Sequence, residues 1–217
     1  FLGEPTVLID PNPGPAVVAA GLDATAAHLG CDLVVLLDVG GDVLAHGGEP
    51  GLASPLADAI VLAAAPRLRE RGVSVLGAVF GAGCDGELTP AEVGERLAEV
   101  AQAGGARGDR APGADALALL ERAVEAVPTE ASAMALRCAR GETGVATIRR
   151  GRRSVQLTPA GGRLWFFDCD VAIGSAARLA HAVLGARDLD DAHDTLTALG
   201  VRTELAYERD AAATGAP

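Results

Sequence analysis

The chain has 217 residues and a formal net charge of −11, and all 18 of its basic residues are arginine. The missing lysine excludes a P-loop or a Schiff-base lysine, and the acidic excess makes a nucleic-acid partner a poor fit, because neutralisation of phosphates supplies most of that affinity. No apolar run reaches the roughly 18–20 residues of a membrane helix and no signal peptide is visible, so we expect no membrane contact. The four widely spaced cysteines favour a reducing cytoplasm.

Strands and helices alternate in the first half of the chain. The apolar stretches TVLID, DLVVLLDV and SVLGAVFG predict strands at 6–10, 32–39 and 74–81, and helices follow each of them. The second helix opens at Ser54-Pro55, and TPAE at 89–92 is a capping box that starts the third. This alternation predicts a Rossmann-like, doubly wound, mostly parallel sheet with helices on both faces. Residues 7–9, 33–38 and 75–80 should be parallel neighbours that are buried on both faces.

The second half of the chain changes character. We expect a linker at 104–113, helices at 114–126 and 130–139, an antiparallel hairpin in VATIRRGRRSVQLTP, a strand in RLWFFDCD, and closing helices near 171–184 and 188–199. The whole chain is then one α/β domain, in which residues 1–103 form the parallel core and residues 114–217 complete it.

Acids and glycines gather where the three predicted strands end. The stretches are DPNPG from Asp10, DVGGD from Asp38, and GAGCDGE up to Glu87. Ligands of open α/β sheets bind at the carboxyl ends of the strands, and glycine lets the backbone approach a ligand closely. The candidate catalytic residues are Asp38, Asp42 and Asp85. The candidate ligand-binding residues are Asp10, Asn12, Gly40, Gly41, His46, Glu49, Cys84 and Glu87.

Several of these residues also have a plainer interpretation. His46 and Glu49 could simply hold their own long loop together, and Cys84 fits a buried thiol better than a nucleophile. The arginines that flank Gly151, in RRGRR, are expected to form a solvent-exposed turn, with an anion clamp as the alternative.

The chemistry of the predicted site stays open between two classes. The chain has no G-x-G-x-x-G fingerprint, and clustered carboxylates would repel a bare phosphate. Two uses remain: hydrogen bonds to the hydroxyls of a sugar or nucleoside, and oxygen ligands for Mg²⁺ or Ca²⁺. We expect an enzyme that acts on a polar metabolite such as a nucleotide or phosphosugar, with Mg²⁺ as the candidate cofactor. The alternative is a non-catalytic small-molecule binding or regulatory module that uses the same pocket.

Four segments of the chain resemble a known family. DVGGDVLAHGGEPGLASPLADA, GAGCDGELTPAEV, PTEAS and ELAYER together resemble the bacterial and archaeal family called domain of unknown function 1152. The resemblance implies no assigned activity. It also implies a glycine-rich strand and turn before the part seen here, so that this sequence begins after that point.

Two further expectations concern association and thiols. An Ala-rich chain that lacks a first strand should leave an unpaired sheet edge uncovered, which predicts a homo-oligomer. The four cysteines (Cys31, Cys84, Cys138 and Cys169) lie far apart in the sequence without zinc spacing. We expect all four to be reduced and none to lie within disulfide reach of another.

Overall fold

The computed structural model describes residues 3–214, which form a mixed α/β fold. The strands in this part of the chain are β1 (Leu33–Val39), β2 (Ser74–Phe80), β3 (Ala106–Arg110), β4 (Gly144–Ile148), β5 (Arg153–Leu157) and β6 (Leu164–Phe167). The α-helices are α1 (Gly14–Leu29), α2 (Pro55–Ala63), α3 (Ala65–Glu70), α4 (Pro90–Gln102), α5 (Ala114–Ala126), α6 (Glu130–Ala139), α7 (Cys169–Ile173), α8 (Arg178–Ala182), α9 (Leu189–Ala198) and α10 (Glu204–Thr214). None of these helices is long and apolar enough to cross a membrane.

The main sheet has four strands in the order β1-β2-β6-β3, and most of its pairings are antiparallel. β1 runs parallel to β2, in register from Leu33 opposite Ser74 to Val39 opposite Phe80. β6 runs antiparallel to both of its neighbours, β2 and β3. The predicted mostly parallel, doubly wound sheet is therefore not confirmed. The alternation of elements correctly predicted that β1 and β2 are parallel neighbours. A local pattern carries no information on where the distant strand β6 inserts.

The predicted first strand was wrong. Residues 6–10 have no strand structure, and Leu8 is 95% exposed. β1 is consequently an edge strand that is covered on one face only, and not the doubly buried strand that its apolar run predicted. Its outward side chains are exposed: Leu33, Val35 and Leu37. A continuous apolar run does not distinguish an edge strand from a central one. The homo-oligomer stays a prediction.

The linker predicted at residues 104–113 was also wrong, because it contains β3. All five residues of β3 are exposed, and the strand lies at the edge of the sheet, against β6. Its sequence, ARGDR, has no apolar pattern to indicate a strand. The backbone pairing with β6 forms it.

Other elements confirm the sequence interpretation. The hairpin β4–β5 is antiparallel and separate from the main sheet, and α5 and α6 have the predicted bounds. Thr89 and Glu92 form both hydrogen bonds of a capping box at the start of α4. The helix expected near 171–184 is interrupted and forms α7 and α8.

The core has one part on each face of the sheet. Val79 belongs to a large cluster with side chains from α1–α4 and α7–α9, while the adjacent Phe80 belongs to a smaller cluster with α6 and the hairpin. Successive strand residues point to opposite faces, so both faces of β2 are covered. β1 and β2 are parallel and end side by side at Val39 and Phe80. The loops that follow them therefore meet at one edge of the sheet.

Candidate functional site

The loops after β1 and β2 are joined through Gly40. The N–H of Gly40 donates to the Phe80 carbonyl at 3.0 Å, and the N–H of Gly83 donates to the Gly40 carbonyl at 2.7 Å. Gly40 has a φ of 144°, and a Cβ atom there would lie 2.4 Å from the Asp85 carboxyl carbon. Only glycine allows this conformation and this close approach. The glycine thus brings the acid of the second loop against the backbone of the first.

Five carboxylates converge at this edge and form what we call the acidic cluster: Asp38, Asp42, Asp58, Asp85 and Glu87. One oxygen from each of Asp38, Asp42 and Asp58 lies within 4.8 Å of the other two. Oxygens of Asp42, Asp85 and Glu87 satisfy the same limit. Asp42 belongs to both sets, so its carboxylate lies between two candidate cation positions.

Three members of the cluster are oriented by hydrogen bonds. Asp38 Oδ2 accepts the N–H of Gly41 at 2.7 Å, and Asp85 Oδ1 accepts the N–H of Glu87 at 3.2 Å. Glu87 Oε2 accepts the N–H groups of Ala53 and Ser54 at 2.8 and 2.9 Å. These bonds fix where the carboxylates point, and they tie the second loop to the start of α2.

The other two members lack such partners. Among residues 3–214, no donor reaches the carboxylate of Asp42 or of Asp58, although Asp42 is only 5% exposed. An ionised carboxylate that is withdrawn from water without a partner is costly. The arrangement therefore favours either a proton or a cation at Asp42.

The pKa values express this same cost. Burial, followed by repulsion from Asp38 and the other acids, raises the pKa of Asp42 to about 10. Burial, followed by repulsion from Glu204, raises the pKa of Asp58 to about 7. Burial also raises the pKa of Asp85 to about 6 and that of Asp38 well above its usual value. A bound divalent cation would reverse these shifts, because it stabilises the ionised forms.

A small cavity lies against the cluster, and a larger cleft lies beside its second loop. A cavity of about 40 Å³ lies against Asp38 and Asp58, room enough for an ion or a water. A cleft of about 560 Å³ adjoins Gly83 and Gly86 of the second loop, between the start of α4 and the hairpin. The cleft has the size of ordinary metabolite sites. Neither this cleft nor an apolar cavity of about 410 Å³ near Trp165 has any of the five acids in its lining, but the cleft adjoins the loop that carries Asp85 and Glu87.

The structure does not bring Asp10 and Asn12 to the cluster. Asp10 Oδ1 accepts the N–H and the side-chain amide of Asn12 at 2.9 and 2.7 Å, and both residues are exposed. The Asn12 carbonyl accepts the N–H of Leu189, at the start of α9. They were predicted to join the site because residues 6–10 were expected to be a strand of the sheet. Without that strand, the acid closes a local turn instead.

His46 and Glu49 brace their loop, as the plainer interpretation held. The Glu49 carboxylate accepts the N–H groups of His46 and Gly47, both at 2.8 Å, and lies 3.5 Å from Arg96 Nε. His46 Nε2 lies 3.0 Å from a Glu99 oxygen on α4. Burial alone would raise the pKa of Glu49, but these backbone N–H groups and Arg96 lower it. We call His46, Glu49, Arg96 and Glu99 the loop brace.

Cys84 lies in the smaller core cluster. The expectation that no cysteine lies within reach of another was wrong for this residue. Its sulfur is 3.7 Å from that of Cys138 on α6, unbonded, so the two cysteines are not remote from each other. A hydrogen bond with Cys84 lowers the pKa of Cys138 to about 7, and that bond and burial raise the pKa of Cys84. A raised thiol pKa suits a buried thiol and not a nucleophile.

Sequence reasoning missed two parts of the site. Asp58 lies in the first turn of α2, where an acid is ordinary, and nothing in the sequence says that this turn faces Asp38. Arg149 Nη2 lies 3.4 Å from Glu87 Oε1, and Arg153 packs its Cδ on Gly86, where a Cβ atom would lie 2.6 Å away. The RRGRR pattern was visible, but the side on which the hairpin packs was not.

The comparisons with known proteins yield a family and no activity. Neither a curated protein nor a solved structure matches the chain. The model of the family described as "Protein of unknown function (DUF1152)" matches residues 1–212. The match covers nearly the full length, including every residue of the acidic cluster. The chain therefore belongs to the DUF1152 family.

Proposed function

We propose that the protein is an enzyme that uses one or two divalent cations, held by the acidic cluster, to act on a polar metabolite of the nucleotide or phosphosugar kind. The observation that carries this proposal is Asp42, a carboxylate that is 5% exposed, has no hydrogen-bond donor among residues 3–214, and belongs to two sets of acids. Mg²⁺ is the cation of choice because hard oxygen ligands suit it and it is commonly held by a few carboxylates together with substrate oxygens.

The chemistry that such a site supplies follows from its charges. A cation held by Asp42 and its neighbours would polarise a substrate oxygen or lower the pKa of a bound water. The acids would hold that cation, and the 560 Å³ cleft beside Gly86 would hold the body of the metabolite. Two positions that share Asp42 resemble the arrangement of two-metal sites, in which the cations clamp the attacking and leaving oxygens.

A metabolite screen tests this proposal. Nucleotides and sugar phosphates are incubated with the purified chain in Mg²⁺, in Mn²⁺ and in EDTA, and products are followed by mass spectrometry. We expect turnover of at least one compound that requires the cation and disappears in Asp42→Asn. The variant Asp10→Asn is the control, since Asp10 lies in a local turn and its loss should leave turnover unchanged.

The same compounds also distinguish an enzyme from the binding-module alternative. A module without chemistry would show a thermal shift with a metabolite and no product. Turnover that persists in EDTA, or in Asp42→Asn, would contradict the proposed function.

A further inference from the structure

The hairpin β4–β5 places positive charge directly beside the acidic cluster. Arg149 Nη2 lies 3.4 Å from a Glu87 oxygen, and Arg153 Nη2 donates to the Gly51 carbonyl at 3.0 Å. The aliphatic part of Arg153 lies on Gly86, the residue between Asp85 and Glu87. Arg149 therefore borders Glu87, and the charge of Arg153 is close enough to favour the ionised form of Asp85. Both acids belong to one candidate cation position, the set formed with Asp42.

Arg153 has an unused donor at this place. Its Nη1 is buried and has no hydrogen-bond partner among residues 3–214. A buried donor left unpaired is costly, and Arg153 Nη1 is one of four such buried side-chain atoms in this part of the chain. Its other terminal nitrogen is held by the Gly51 carbonyl, so the orientation of the guanidinium is set.

The turn that carries Arg149 is also held in place. The backbone N–H of Arg149 donates to both oxygens of Glu130, at the start of α6, at 2.8 Å each. Arg149 and Arg150 have φ values of 51° and 57°, a conformation that residues other than glycine rarely adopt. The contact with Glu130 therefore holds a turn that is unfavourable in isolation, and with it the position of the Arg149 side chain.

The geometry points to an oxyanion subsite: Arg153, assisted by Arg149, binds the phosphate group of a phosphorylated metabolite whose oxygens also contact the cation at Asp42, Asp85 and Glu87. This inference rests on the proposed function and names its substrate class. The acids alone would repel a phosphate, and the arginines alone are drawn to the acids. A bound cation would neutralise the acids, so they would no longer repel the phosphate or hold the arginines. The planar guanidinium groups, which match phosphate geometry, could then bind the anion.

The test measures Mg²⁺ and a phosphate ester separately. Mg²⁺ affinity is measured by calorimetry, and then ribose 5-phosphate and ribose are titrated into the Mg²⁺-loaded chain. Ribose 5-phosphate should bind at least about tenfold more tightly than ribose. Arg153→Gln should remove that difference, and Arg149→Gln should reduce it. Mg²⁺ affinity should be unchanged or higher in both variants, because each removes a positive charge beside the cation.

Arg150→Gln is the matched control, since Arg150 is exposed, lies in the same turn and has no side-chain partner among the described residues. Melting curves of all three variants show that they are folded. If Mg²⁺ binds but ribose 5-phosphate binds no better than ribose, the oxyanion subsite is overturned and the cation site stands. An equal loss in Arg150→Gln and Arg153→Gln would also overturn the subsite. If Mg²⁺ does not bind, the proposed function and the subsite are both overturned.

Discussion

The loop brace and the acidic cluster both use acids from the stretch DVGGDVLAHGGEPG, yet their acids behave oppositely. Glu49 is 8% exposed and Asp42 is 5% exposed, so the two residues have nearly the same solvent exposure. Glu49 has two backbone donors and Arg96, and its pKa is lowered. Asp42 has no hydrogen-bond donor in the part of the chain that the structure describes, and its pKa is raised to about 10. At similar solvent exposure, donors keep Glu49 ionised, whereas Asp42, with burial and neighbouring acids acting on it and no donor to offset them, favours a proton or a cation.

The largest expected effect on stability concerns the brace. Glu49→Ala removes a buried carboxylate and leaves two N–H groups and the largely buried Arg96 without it. We expect a loss of about 3 kcal/mol in the free energy of unfolding, measured by urea denaturation. Mg²⁺ affinity per folded molecule should stay unchanged. A loss below about 1 kcal/mol would show that the loop does not depend on this acid.

The next effect concerns the glycine that joins the two loops. Gly40→Ala places a Cβ atom 2.4 Å from the Asp85 carboxyl carbon at a φ of 144°. We expect a loss of about 2 kcal/mol and a Mg²⁺ affinity at least about tenfold weaker, because Asp85 must move. Gly48→Ala is the control, since a Cβ atom there meets nothing within 4 Å and should change stability by less than about 0.5 kcal/mol. Equal effects of the two substitutions would contradict the close approach.

Asp42→Asn should act in the opposite direction on stability. A carboxyl with a folded-state pKa of about 10 must take up a proton on folding at pH 7.5, whereas the amide keeps the shape and needs none. In EDTA at pH 7.5 the free energy of unfolding should therefore rise by about 1–2 kcal/mol. Thermal and urea unfolding measure this change. Destabilisation comparable to that of Glu49→Ala would place Asp42 in the same structural class as the brace.

The pH dependence separates the two groups of acids. Between about pH 4 and the raised folded-state values, about 6 for Asp85 and about 7 for Asp58, the folded chain keeps protons that the unfolded chain has released. Stability in EDTA should therefore fall as pH rises through this window, and Asp42 extends the fall towards pH 10. The pKa of Glu49 is lowered, so its carboxylate stabilises the fold fully above the unfolded-state pKa. That contribution is lost as pH falls through the lower, folded-state pKa.

Comparison with Asp58→Asn separates the pH dependence due to Asp58 from that due to His46. Burial lowers the pKa of His46, which makes its contribution rise with pH across the same window. The difference between the wild-type and Asp58→Asn slopes removes that contribution. From pH 5 to pH 7.5 the wild-type melting temperature should fall by about 5 °C more than that of the variant. Parallel slopes would mean that Asp58 titrates normally.

The smallest effect belongs to the outer part of the brace. The His46–Glu99 contact is partly exposed at Glu99, so His46→Ala should cost less than about 1 kcal/mol. It should leave Mg²⁺ affinity unchanged. A tenfold loss of Mg²⁺ affinity in this variant would place His46 in the site after all.

The sequence predicted which acids gather at one edge of the sheet because of one correct inference about the strands. β1 and β2 are parallel neighbours, so Asp38, Asp42, Asp85 and Glu87 had to meet where those strands end. Asp58 could not be placed, because its position depends on how α2 packs over β1. Asp10 was misplaced because residues 6–10 did not join the sheet.

The remaining errors in the fold have a common cause. β6 enters the sheet from more than 80 residues beyond β2 and imposes antiparallel pairing on β2 and β3. No local pattern near residue 80 or residue 106 encodes that partner. Elements specified by local signals, such as the capping box at Thr89 and the helices α5 and α6, were predicted well.

Calorimetric titration of Mn²⁺ into the metal-free chain at pH 7.5, beside Asp42→Asn and Glu49→Gln, measures whether the acidic cluster holds a cation. We expect binding of one or two ions with a Kd of about 1 mM or tighter. Asp42→Asn should abolish it, while Glu49→Gln should bind as the wild type does, per folded molecule. Absence of binding to the folded wild type, or equal binding by Asp42→Asn, would contradict the claim that the acidic cluster is a cation site.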